Sequence, residues 1–452
     1  MQMTEQGVSK LHLVFKTHLD LGFTNLANVV YRHYMNDFIP GALRLARTLR
    51  ERESPDRFVW TTGSWLIYHY LEEASSADRQ QMEAAIAAGD IAWHALPFTT
   101  HTELMDADLF RFGLSLSQRL DARFGRKTIA AKMTDVPGHT RAIVPLMAEA
   151  GIRLMHIGVN EASTMPHVPP VFIWRDEATG SELLTVYEHH YGGVVQVAGL
   201  RDALVMQMTG DNIGPPSIEA VEKVYHDLRA RFPSAEITSA TLDSFAAALD
   251  SVRDRLPVLT DEIGDTWIHG IGTDPQKMRA WRELMYLRHD TDQPMPDAFQ
   301  DRLLCVAEHT WGMDTKIHLA EYDSYTAEEL AAARSTSPFQ TMQTSWAEQR
   351  AYLDQAVAAL EGTPWHGAAV AALTPPIIHA LTGTPTGQRQ FRTRHFEIAI
   401  DAQTGAISRL QTNGRTWAAP ENPLALFRYE LFDQTAYDHF WDEYIQSKDR
   451  EA

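Results

Sequence analysis

Two side chains near the start of the chain are suited to bind a metal ion. His18 and Asp20 directly follow an apolar run at residues 11–15. Residues two apart on an extended backbone project to the same side, so these two side chains could converge on one ion. An imidazole and a carboxylate suit zinc or a similar divalent ion. The pattern therefore predicts half of a divalent-metal site, although a His-x-Asp pattern also occurs as a chance surface pair.

Three further residues with suitable chemistry lie where other elements are predicted to end. Asp135 precedes a Pro-Gly turn, Asp211 begins an acidic loop that contains glycine, and His309 follows an apolar helical stretch. Barrel folds gather their chemistry at the carboxyl ends of their strands. We therefore predict that these three residues join His18 and Asp20 in one site.

The elements that must position these residues follow a regular rhythm in the N-terminal half. Short apolar runs alternate with amphipathic stretches up to about residue 258, which is typical of strand–helix units and a parallel sheet. We predict an α/β fold, a (β/α)7-type barrel of about seven strands, as the catalytic domain over residues 1–258. The predicted strands cover residues 11–15, 58–61, 91–95, 129–133, 154–157, 183–187, 204–208 and 236–238.

Longer helical patterns replace this alternation after residue 258. Asp274 and Pro275 supply a helix cap and a first-turn proline, and apolar residues then recur at helical spacing. This pattern predicts a helical bundle domain over residues 259–365. We expect Trp281 and Trp346 to pack in the core of that bundle.

The last part of the chain changes character twice. Residues 366–390 are rich in Pro, Gly, Ala and Thr, which predicts a linker. Apolar residues then alternate at period two, which is typical of β-strands. Residues 391–452 therefore indicate a partial β-sandwich, since a complete one takes about 100 residues.

The order of these segments resembles that of the α-mannosidases of glycoside hydrolase family 38. The chains of that family contain, in this order, a strand ending in His-x-Asp, an Asp-x-x-Gly-His turn, a Gly-Asp loop, a helical bundle and a C-terminal β domain. The matching segments here are His18-Leu19-Asp20, Asp135-Val136-Pro137-Gly138-His139 and Gly210-Asp211. The similarity extends over essentially the whole chain and implies a divergent, bacterial-type member of the family.

The resemblance also implies roles for single residues. His18 and Asp20 match the first two zinc ligands of the family. Asp135 matches the carboxylate that serves both as a zinc ligand and as the nucleophile, and Asp211 matches the residue that acts as acid and base. His309 matches the remaining zinc ligand.

Two departures from the family pattern bear on the preferred sugar. Phe23 stands where the family carries tryptophan, which keeps a surface for sugar stacking without an indole donor. The dipeptide context of the family's last histidine is replaced by Glu308-His309-Thr310-Trp311. We expect the fold and the metal site to follow the family more closely than the sugar preference does.

The function implied by these residues is hydrolysis of α-mannoside-like substrates with retention of configuration. A retaining glycosidase needs two carboxyl groups about 5 to 5.5 Å apart, one as nucleophile and one as acid and base. Asp135 and Asp211 are the candidates for these roles. Zn²⁺ is the expected cofactor, although another divalent ion would fit the same ligands.

Two alternative functions use the same residues differently. A metal-dependent polysaccharide deacetylase would use the His and Asp ligands to activate water and would need no second carboxylate as nucleophile. A carbohydrate-binding protein could keep the fold without the chemistry. Release of acetate from an acetylated glycan, or sugar binding without turnover, would indicate these alternatives.

Each candidate residue also has a structural interpretation. Asp135 could cap the next helix, and Asp211 could belong to a turn. His309 competes with His269 for the position of the last metal ligand, and His269 is otherwise a candidate for substrate contact. Trp93, near the end of the third predicted strand, could stack on a sugar or pack in the core.

Composition restricts the partners and the location of the protein. The chain of 452 residues has a formal net charge of −19, which argues against nucleic acid and anionic membranes as partners. The absence of a long apolar stretch or a basic, apolar start in the sequence predicts a cytoplasmic location. The single cysteine, Cys305, lies in an apolar helical stretch and is expected in the core. We expect the C-terminal β segment to mediate any homo-oligomer, since an incomplete sheet exposes unpaired edges.

Overall fold

The computed structural model divides the chain into two compact units, residues 1–375 and residues 376–452. It describes residues 7–265, 267, 273–289, 294–319, 326–375, 386–428 and 431–446. The four segments that the sequence suggested, with their three boundaries, remain predictions.

The first unit contains two β-sheets. The first sheet has the strand order β3-β2-β1-β9-β8, with β10 also paired to β1, and its strands are β1 (Lys10–His18), β2 (Trp60–Gly63), β3 (Ile91–His94), β8 (Val194–Gln196), β9 (Asp202–Asp211) and β10 (Glu236–Ser239). The second sheet has the order β11-β6-β7-β5-β4, with β4 (Ala130–Asp135), β5 (Leu154–Val159), β6 (Val171–Arg175), β7 (Glu182–Glu188) and β11 (Val258–Leu259).

Most strand pairs in both sheets are parallel. Strand β1 pairs in parallel with β2, β9 and β10, and β5 pairs in parallel with β4 and β7. Strands β6 and β8 each run antiparallel to their neighbours β7 and β9. Strand β5 is buried along its whole length, as expected for a strand with both faces covered. The prediction of an α/β fold with parallel sheets is therefore confirmed.

The two sheets face a common interior. Val14 of the first sheet packs in one buried cluster with Leu154 and Leu184 of the second. At one seam, the Ala95 N–H donates to Ala130 O at 2.9 Å. Among the described residues, however, the strands divide between two sheets. The finer prediction, one continuous (β/α)7-type barrel, is thus not confirmed.

Helices cover the sheets on the outside. The helices of the strand-containing region are α1 (Ala27–His33), α2 (Ile39–Glu51), α3 (Ser64–Glu73), α4 (Ser76–Ala88), α5 (Ala107–Phe124), α6 (Ile143–Glu149), α7 (Ile218–Arg231) and α8 (Leu242–Leu249). Several begin at a side-chain cap: Ser75, Asp106 and Ser217 each accept a hydrogen bond from a backbone N–H of the first turn. No helix in the described ranges is long and apolar enough to cross a membrane.

The rest of the first unit is helical. Its helices are α9 (Pro275–His289), α10 (Asp297–Val306), α11 (Thr315–His318), α12 (Ala327–Ala333), α13 (Ser337–Ala358) and α14 (His366–Leu373). Helix α9 begins as predicted, because the Lys277 N–H donates to Asp274 Oδ1 at 3.2 Å. Helix α14 lies inside the segment predicted as a linker. Trp281 and Cys305 are buried in the main core, whose cluster combines side chains of these helices and of the first sheet.

The second unit contains a four-stranded antiparallel sheet. Its strands follow chain order as β12 (Gln390–Arg392), β13 (Glu397–Ile400), β14 (Ile407–Thr412) and β15 (Arg415–Ala418). Asn413 and Gly414 form the turn between β14 and β15, both with positive φ, as a tight hairpin requires. Helix α15 (Gln434–Glu443) follows the sheet.

Candidate active site and metal centre

Three of the predicted residues end parallel strands. His18 is the last residue of β1, Asp135 of β4 and Asp211 of β9. Strands β1 and β9 lie side by side, and a register irregularity after Thr17 brings His18 opposite Asp211. The carboxyl ends of the strands thus deliver these side chains to the region where barrel-like folds place their chemistry.

A compact group of potential metal ligands lies at this edge. His18, Asp20 and His309 each offer one ligand atom, and these atoms lie within 4.8 Å of one another. Asp20 Oδ1 is 3.1 Å from His18 Nε2 and 3.0 Å from His309 Nε2. Asp135 borders the group, since its Oδ2 is 3.2 Å from His309 Nε2. Among the described residues, His309 is the histidine that lies with His18 and Asp20, and the choice between His309 and His269 as the last ligand remains a prediction.

The unsatisfied atoms of this group fit a bound cation. Nδ1 of His18 and Oδ2 of Asp20 are buried without a hydrogen-bond partner among the described residues, and Nε2 of His18, 3.1 Å from Asp20 Oδ1, has no partner in good hydrogen-bond geometry. A buried polar atom without a partner costs about 1 to 3 kcal/mol. Two imidazoles and one or two carboxylates form a donor set that zinc accepts. A divalent ion at this position would satisfy Oδ2 of Asp20 and one ring nitrogen of His18.

Glu308 orients the last ligand of the group. Its Oε1 lies 2.6 Å from His309 Nδ1, and the side chain of Glu308 is fully buried. The second oxygen, Oε2, accepts the backbone N–H of Thr310 at 3.0 Å. A carboxylate on one ring nitrogen fixes the tautomer of a histidine and leaves the other nitrogen free to bind a metal. His309 Nε2 is thereby aimed at Asp20 and Asp135.

The electrostatics of the group favour positive charge. Burial alone would lower the pKa of His309, but Glu308, Asp135 and Asp20 raise it well above its usual value. Burial opposes ionisation of Asp20, but the charges and hydrogen bonds of His18 and His309 hold the pKa of Asp20 below its usual range. The position surrounded by these carboxylates is therefore one that stabilises a cation.

Asp135 is held by two donors and is kept ionised. Tyr191 Oη donates to Asp135 Oδ1 at 2.8 Å, and Asn160 Nδ2 donates to the same oxygen at 3.1 Å. Burial would raise the pKa of Asp135, but the hydrogen bond and charge of His309 outweigh it and lower this pKa. The backbone of Asp135 has φ of +76°, an uncommon conformation for a non-glycine residue. Strain of this kind is often found at functional sites.

Asp211 has the opposite electrostatic setting. Burial raises the pKa of Asp211, and the negative charge of Asp20 adds to the shift. Asp211 is nevertheless partly accessible and lines the same cavity as Asp135. The two carboxyl groups that line the cavity thus have pKa values shifted in opposite directions.

This cavity has a volume of about 700 Å³. Phe23 lines it, and its backbone N–H donates to Gly312 O at 3.1 Å, which ties the first loop to the loop after His309. Trp346 also lines the cavity, although the sequence suggested core packing for it. The wall includes Asp20, Asp135, Asn160, Tyr191, Asp211, Trp267, Asp274, Lys277, His309, Trp311, Gln349 and Arg350.

One predicted site residue, Trp93, does not join this group. Trp93 is buried, its Nε1 donates to Asp121 Oδ1 at 3.0 Å, and the guanidinium of Arg126 lies over its ring. The residues that line the main cavity do not include Trp93, and core packing accounts for its contacts. His269 lies outside the residues that the structure describes.

Several residues that hold the site together were not singled out as site residues from the sequence. They are Asn160, Tyr191, Asn212 and Glu308, and each binds a candidate ligand or catalytic carboxylate, or its backbone. Tyr191 follows His189 and His190, shortly after the predicted strand at residues 183–187. This position after a strand was the available signal for Tyr191. Glu308 directly precedes His309, and Asn212 directly follows Asp211. Adjacency to a predicted site residue was the signal by which the sequence could have indicated them.

Comparison with known proteins agrees with this geometry. Residues 8–212 match the model of the glycosyl hydrolases family 38 N-terminal domain. Residues 271–452 match a domain of unknown function, DUF5054. No curated protein matches the chain.

The chain is also similar to solved structures. An α-mannosidase from Enterococcus faecalis V583 matches with a TM-score of 0.54 and 12% identity, over 81% of this chain and 42% of that protein. A glycosyl hydrolase family 38 protein from Enterococcus faecalis matches with a TM-score of 0.45 and 12% identity, over 79% of this chain and 40% of that protein. The chain thus spans less than half the length of these two proteins.

The family match begins just before β1 and ends just after Asp211. It therefore includes the strand ends that carry His18, Asp135 and Asp211. The similarity to the first α-mannosidase structure supports the same fold at low sequence identity. Residues 8–212 of the chain are therefore similar to the N-terminal domain of the glycosyl hydrolases of family 38.

Proposed function

We propose that the protein is a divalent-metal-dependent, retaining glycoside hydrolase that acts on α-mannoside-like substrates by double displacement. One observation carries this proposal. Asp135 and Asp211 line one cavity beside the His18, Asp20 and His309 group, and their pKa values are shifted in opposite directions. A pair of carboxyl groups whose environments separate their protonation states suits one nucleophile and one general acid.

Asp135 is the proposed nucleophile. Because it is ionised, one of its oxygens can form a bond to the anomeric carbon as the bond to the leaving oxygen breaks. The hydrogen bonds from Tyr191 and Asn160 fix the orientation of the carboxylate before the reaction. The pKa of Tyr191 is raised, mainly by burial, so its hydroxyl stays protonated and continues to donate.

Asp211 is the proposed acid and base. In the first step it donates its proton to the leaving glycosidic oxygen, which leaves the sugar bound to Asp135 as an ester. In the second step the ionised Asp211 takes a proton from water as the water oxygen attacks the anomeric carbon. That attack releases the sugar and restores both carboxyl groups to their starting states.

His18, Asp20, His309 and Oδ2 of Asp135 would hold the divalent ion, and zinc fits this donor set. Bound there, the ion would hold adjacent sugar hydroxyls and so orient the ring and favour its flattening. Phe23 supplies an apolar surface on the wall of the cavity against which a pyranose face would stack. The name of the similar Enterococcus faecalis V583 structure supports α-mannosides as the first substrates to test.

A panel of aryl α- and β-glycosides, assayed with chelator and with added zinc, tests the proposal. We expect turnover of the α-mannoside, loss of turnover with chelator and recovery with zinc. Turnover of no glycoside together with release of acetate from an acetylated glycan would replace the proposal by a deacetylase. Sugar binding without any turnover would indicate a binding protein on the same fold.

Two variants separate the proposed roles of the carboxyl groups. Asp211→Ala should lose more rate on glycosides with poor leaving groups than on activated aryl glycosides, because only the former need protonation. Asp135→Ala should be inactive, and azide should restore turnover with inverted configuration of the product. Zinc content measured in both variants shows whether a loss of metal accounts for the loss of rate. Equal losses of Asp211→Ala on both classes of substrate would exclude Asp211 as the acid.

A further inference from the structure

Lys277 presents a buried cation at the wall of the main cavity. It lies in the first turn of α9, and only 4% of the residue is exposed. Its Nζ is 3.7 Å from the centre of the Trp311 ring, which is a close cation–π contact. Both residues line the cavity that contains Asp135 and Asp211. The buried ammonium is thus next to the space that a substrate would occupy.

The carboxylates near Lys277 are engaged by other groups. Asp274 accepts the side chain of Arg350 on Oδ2 at 2.6 Å and the backbone N–H of Lys277 on Oδ1 at 3.2 Å. Glu308 is bound to His309 and to the backbone of Thr310. Neither carboxylate makes an ion pair with Lys277 Nζ in the part of the chain that the structure describes. The ammonium is therefore attracted by both groups but neutralised by neither.

This arrangement is unfavourable unless a ligand completes it. Burial lowers the pKa of Lys277 to about 8, which reflects the difficulty of keeping a charge away from water. A neutral hydroxyl would accept a hydrogen bond from the ammonium but would not balance its charge. An anionic group would do both. Arg350 lines the same part of the cavity and adds positive charge, although Asp274 offsets it.

We propose that Lys277 and Trp311 form a subsite for an anionic substituent, a carboxylate or a phosphate ester, carried by the substrate. This inference rests on the proposed glycosidase function. It narrows the proposed substrates from α-mannoside-like glycosides to those that carry an anionic group. Trp311 holds the ammonium over its ring and adds an apolar wall for the sugar. The substrate would then be an acidic or phosphorylated glycoside, with the neutral anomeric centre at Asp135 and the anion at Lys277.

Binding of three matched sugars to the zinc-loaded protein tests this subsite. Methyl α-mannoside, its 6-phosphate and methyl α-mannuronoside are titrated by calorimetry into wild type, Lys277→Met and Lys277→Arg. We expect at least one charged sugar to bind wild type about tenfold or more tightly than the neutral one, as for a hydrogen bond to a charged group. Lys277→Met should lose this preference, and Lys277→Arg should keep part of it. Lys223→Met, in an exposed ion pair with Asp227, is the control and should bind as wild type does.

Side-chain NMR of Lys277 separates this inference from the proposed hydrolysis. The resonance, assigned by its loss in Lys277→Arg, should move on addition of a charged sugar and stay in place with methyl α-mannoside. Such a shift without turnover of any glycoside would support the subsite and overturn the hydrolase. Equal binding of neutral and charged sugars by wild type, or equal weakening of both by Lys277→Met, would overturn the subsite. If the protein nevertheless hydrolysed neutral glycosides, the proposed hydrolase function would still hold. No binding of any sugar, with no response to inorganic phosphate, would overturn both.

Discussion

The side chain of Asn212 forms hydrogen bonds with both the backbone N–H and the backbone carbonyl oxygen of Asp20. Asn212 Oδ1 accepts the Asp20 N–H at 3.0 Å, and Asn212 Nδ2 donates to Asp20 O at 3.2 Å. The same amide nitrogen also contacts Gly22 O and Thr24 Oγ1. The residue that follows the proposed acid and base therefore fixes the loop that carries a proposed metal ligand.

Removal of the Asn212 side chain should loosen this loop. Asn212 has φ of +53°, so Asn212→Gly keeps the backbone conformation while it deletes the hydrogen bonds. We expect Asn212→Gly to bind zinc about tenfold more weakly and to lose about 1 to 3 kcal/mol of unfolding free energy. Asn212→Ala should lose about 1 kcal/mol more, because alanine is strained at positive φ.

Urea denaturation and competition with a chromophoric chelator measure the two effects. Asn413→Gly is the matched control, since Asn413 also has positive φ but lies in an exposed hairpin turn of the second unit. Wild-type zinc affinity in Asn212→Gly would mean that the loop is held by other contacts.

Glu308→Gln tests how the last metal ligand is oriented. Glutamine keeps the shape of the side chain but removes the charge that raises the basicity of His309. Loss of such a partner typically reduces metal affinity by 10- to 100-fold. We expect a decrease in that range, measured by chelator competition at constant pH, whereas Glu361→Gln, at an exposed position, should bind zinc normally. Unchanged affinity in Glu308→Gln would assign Glu308 a purely structural role.

The strands were predictable because a buried strand is a run of apolar residues of limited length. Each of the eight strands predicted in the N-terminal half overlaps an observed one, and three of the strands observed in the first unit were missed. The missed strands are Val171–Arg175, Val194–Gln196 and Val258–Leu259. Two of them have only three and two residues, too few for a periodic signal. The division of the strands between two sheets depends on contacts across the chain, which local patterns do not contain.

The site was predictable where chemistry coincides with strand ends. His18, Asp135 and Asp211 end their strands, as the sequence pattern predicts, and their roles in a site remain predictions. Asn160, Tyr191 and Asn212 act through partners far away in sequence, and their own types are ordinary in loops. Trp93 and Trp346 show the same limit, because a tryptophan pattern alone does not distinguish a cavity wall from a core.

A second buried network, away from the cavity, should make stability depend on pH. His69 Nε2 is 2.9 Å from Asp301 Oδ1, and its Nδ1 is 3.1 Å from Glu73 Oε1. Trp65 Nε1 also donates to Asp301 Oδ1, at 2.8 Å. Burial would lower the pKa of His69, but the hydrogen bond and charge of Asp301 raise it to about 9. The pair joins α3 to α10.

The sign of the effect follows from the raised pKa of His69. Protonated His69 is stabilised in the folded state, so its contribution is full below about pH 6.5 and is lost as pH rises through about 9. The contribution amounts to at most about 3 kcal/mol, since one pKa unit corresponds to about 1.4 kcal/mol. We expect wild type to lose unfolding free energy over this range and His69→Gln to lose much less.

Urea denaturation at several pH values between 6 and about 9.5 measures this difference. His33→Gln removes a histidine from an ion pair with Asp37 in which both side chains are more than half exposed, and it should behave as wild type does. A pH profile of His69→Gln that is parallel to that of wild type would show that other groups cause the dependence.

The exposed apolar residues of the second unit should promote self-association. Phe427, Leu431 and Phe432 are 81%, 80% and 70% exposed, and Tyr437 and Phe440 of α15 are also exposed. Such a group of apolar side chains is unfavourable in water and is typical of an interaction surface. Sedimentation velocity over a range of concentrations should show a dimer or larger species for wild type and a shift toward monomer for Phe427→Ser with Phe432→Ser. Tyr286→Ser, at an exposed aromatic residue of α9, is the control and should associate as wild type does. A wild-type protein that stays monomeric at every concentration would contradict this prediction.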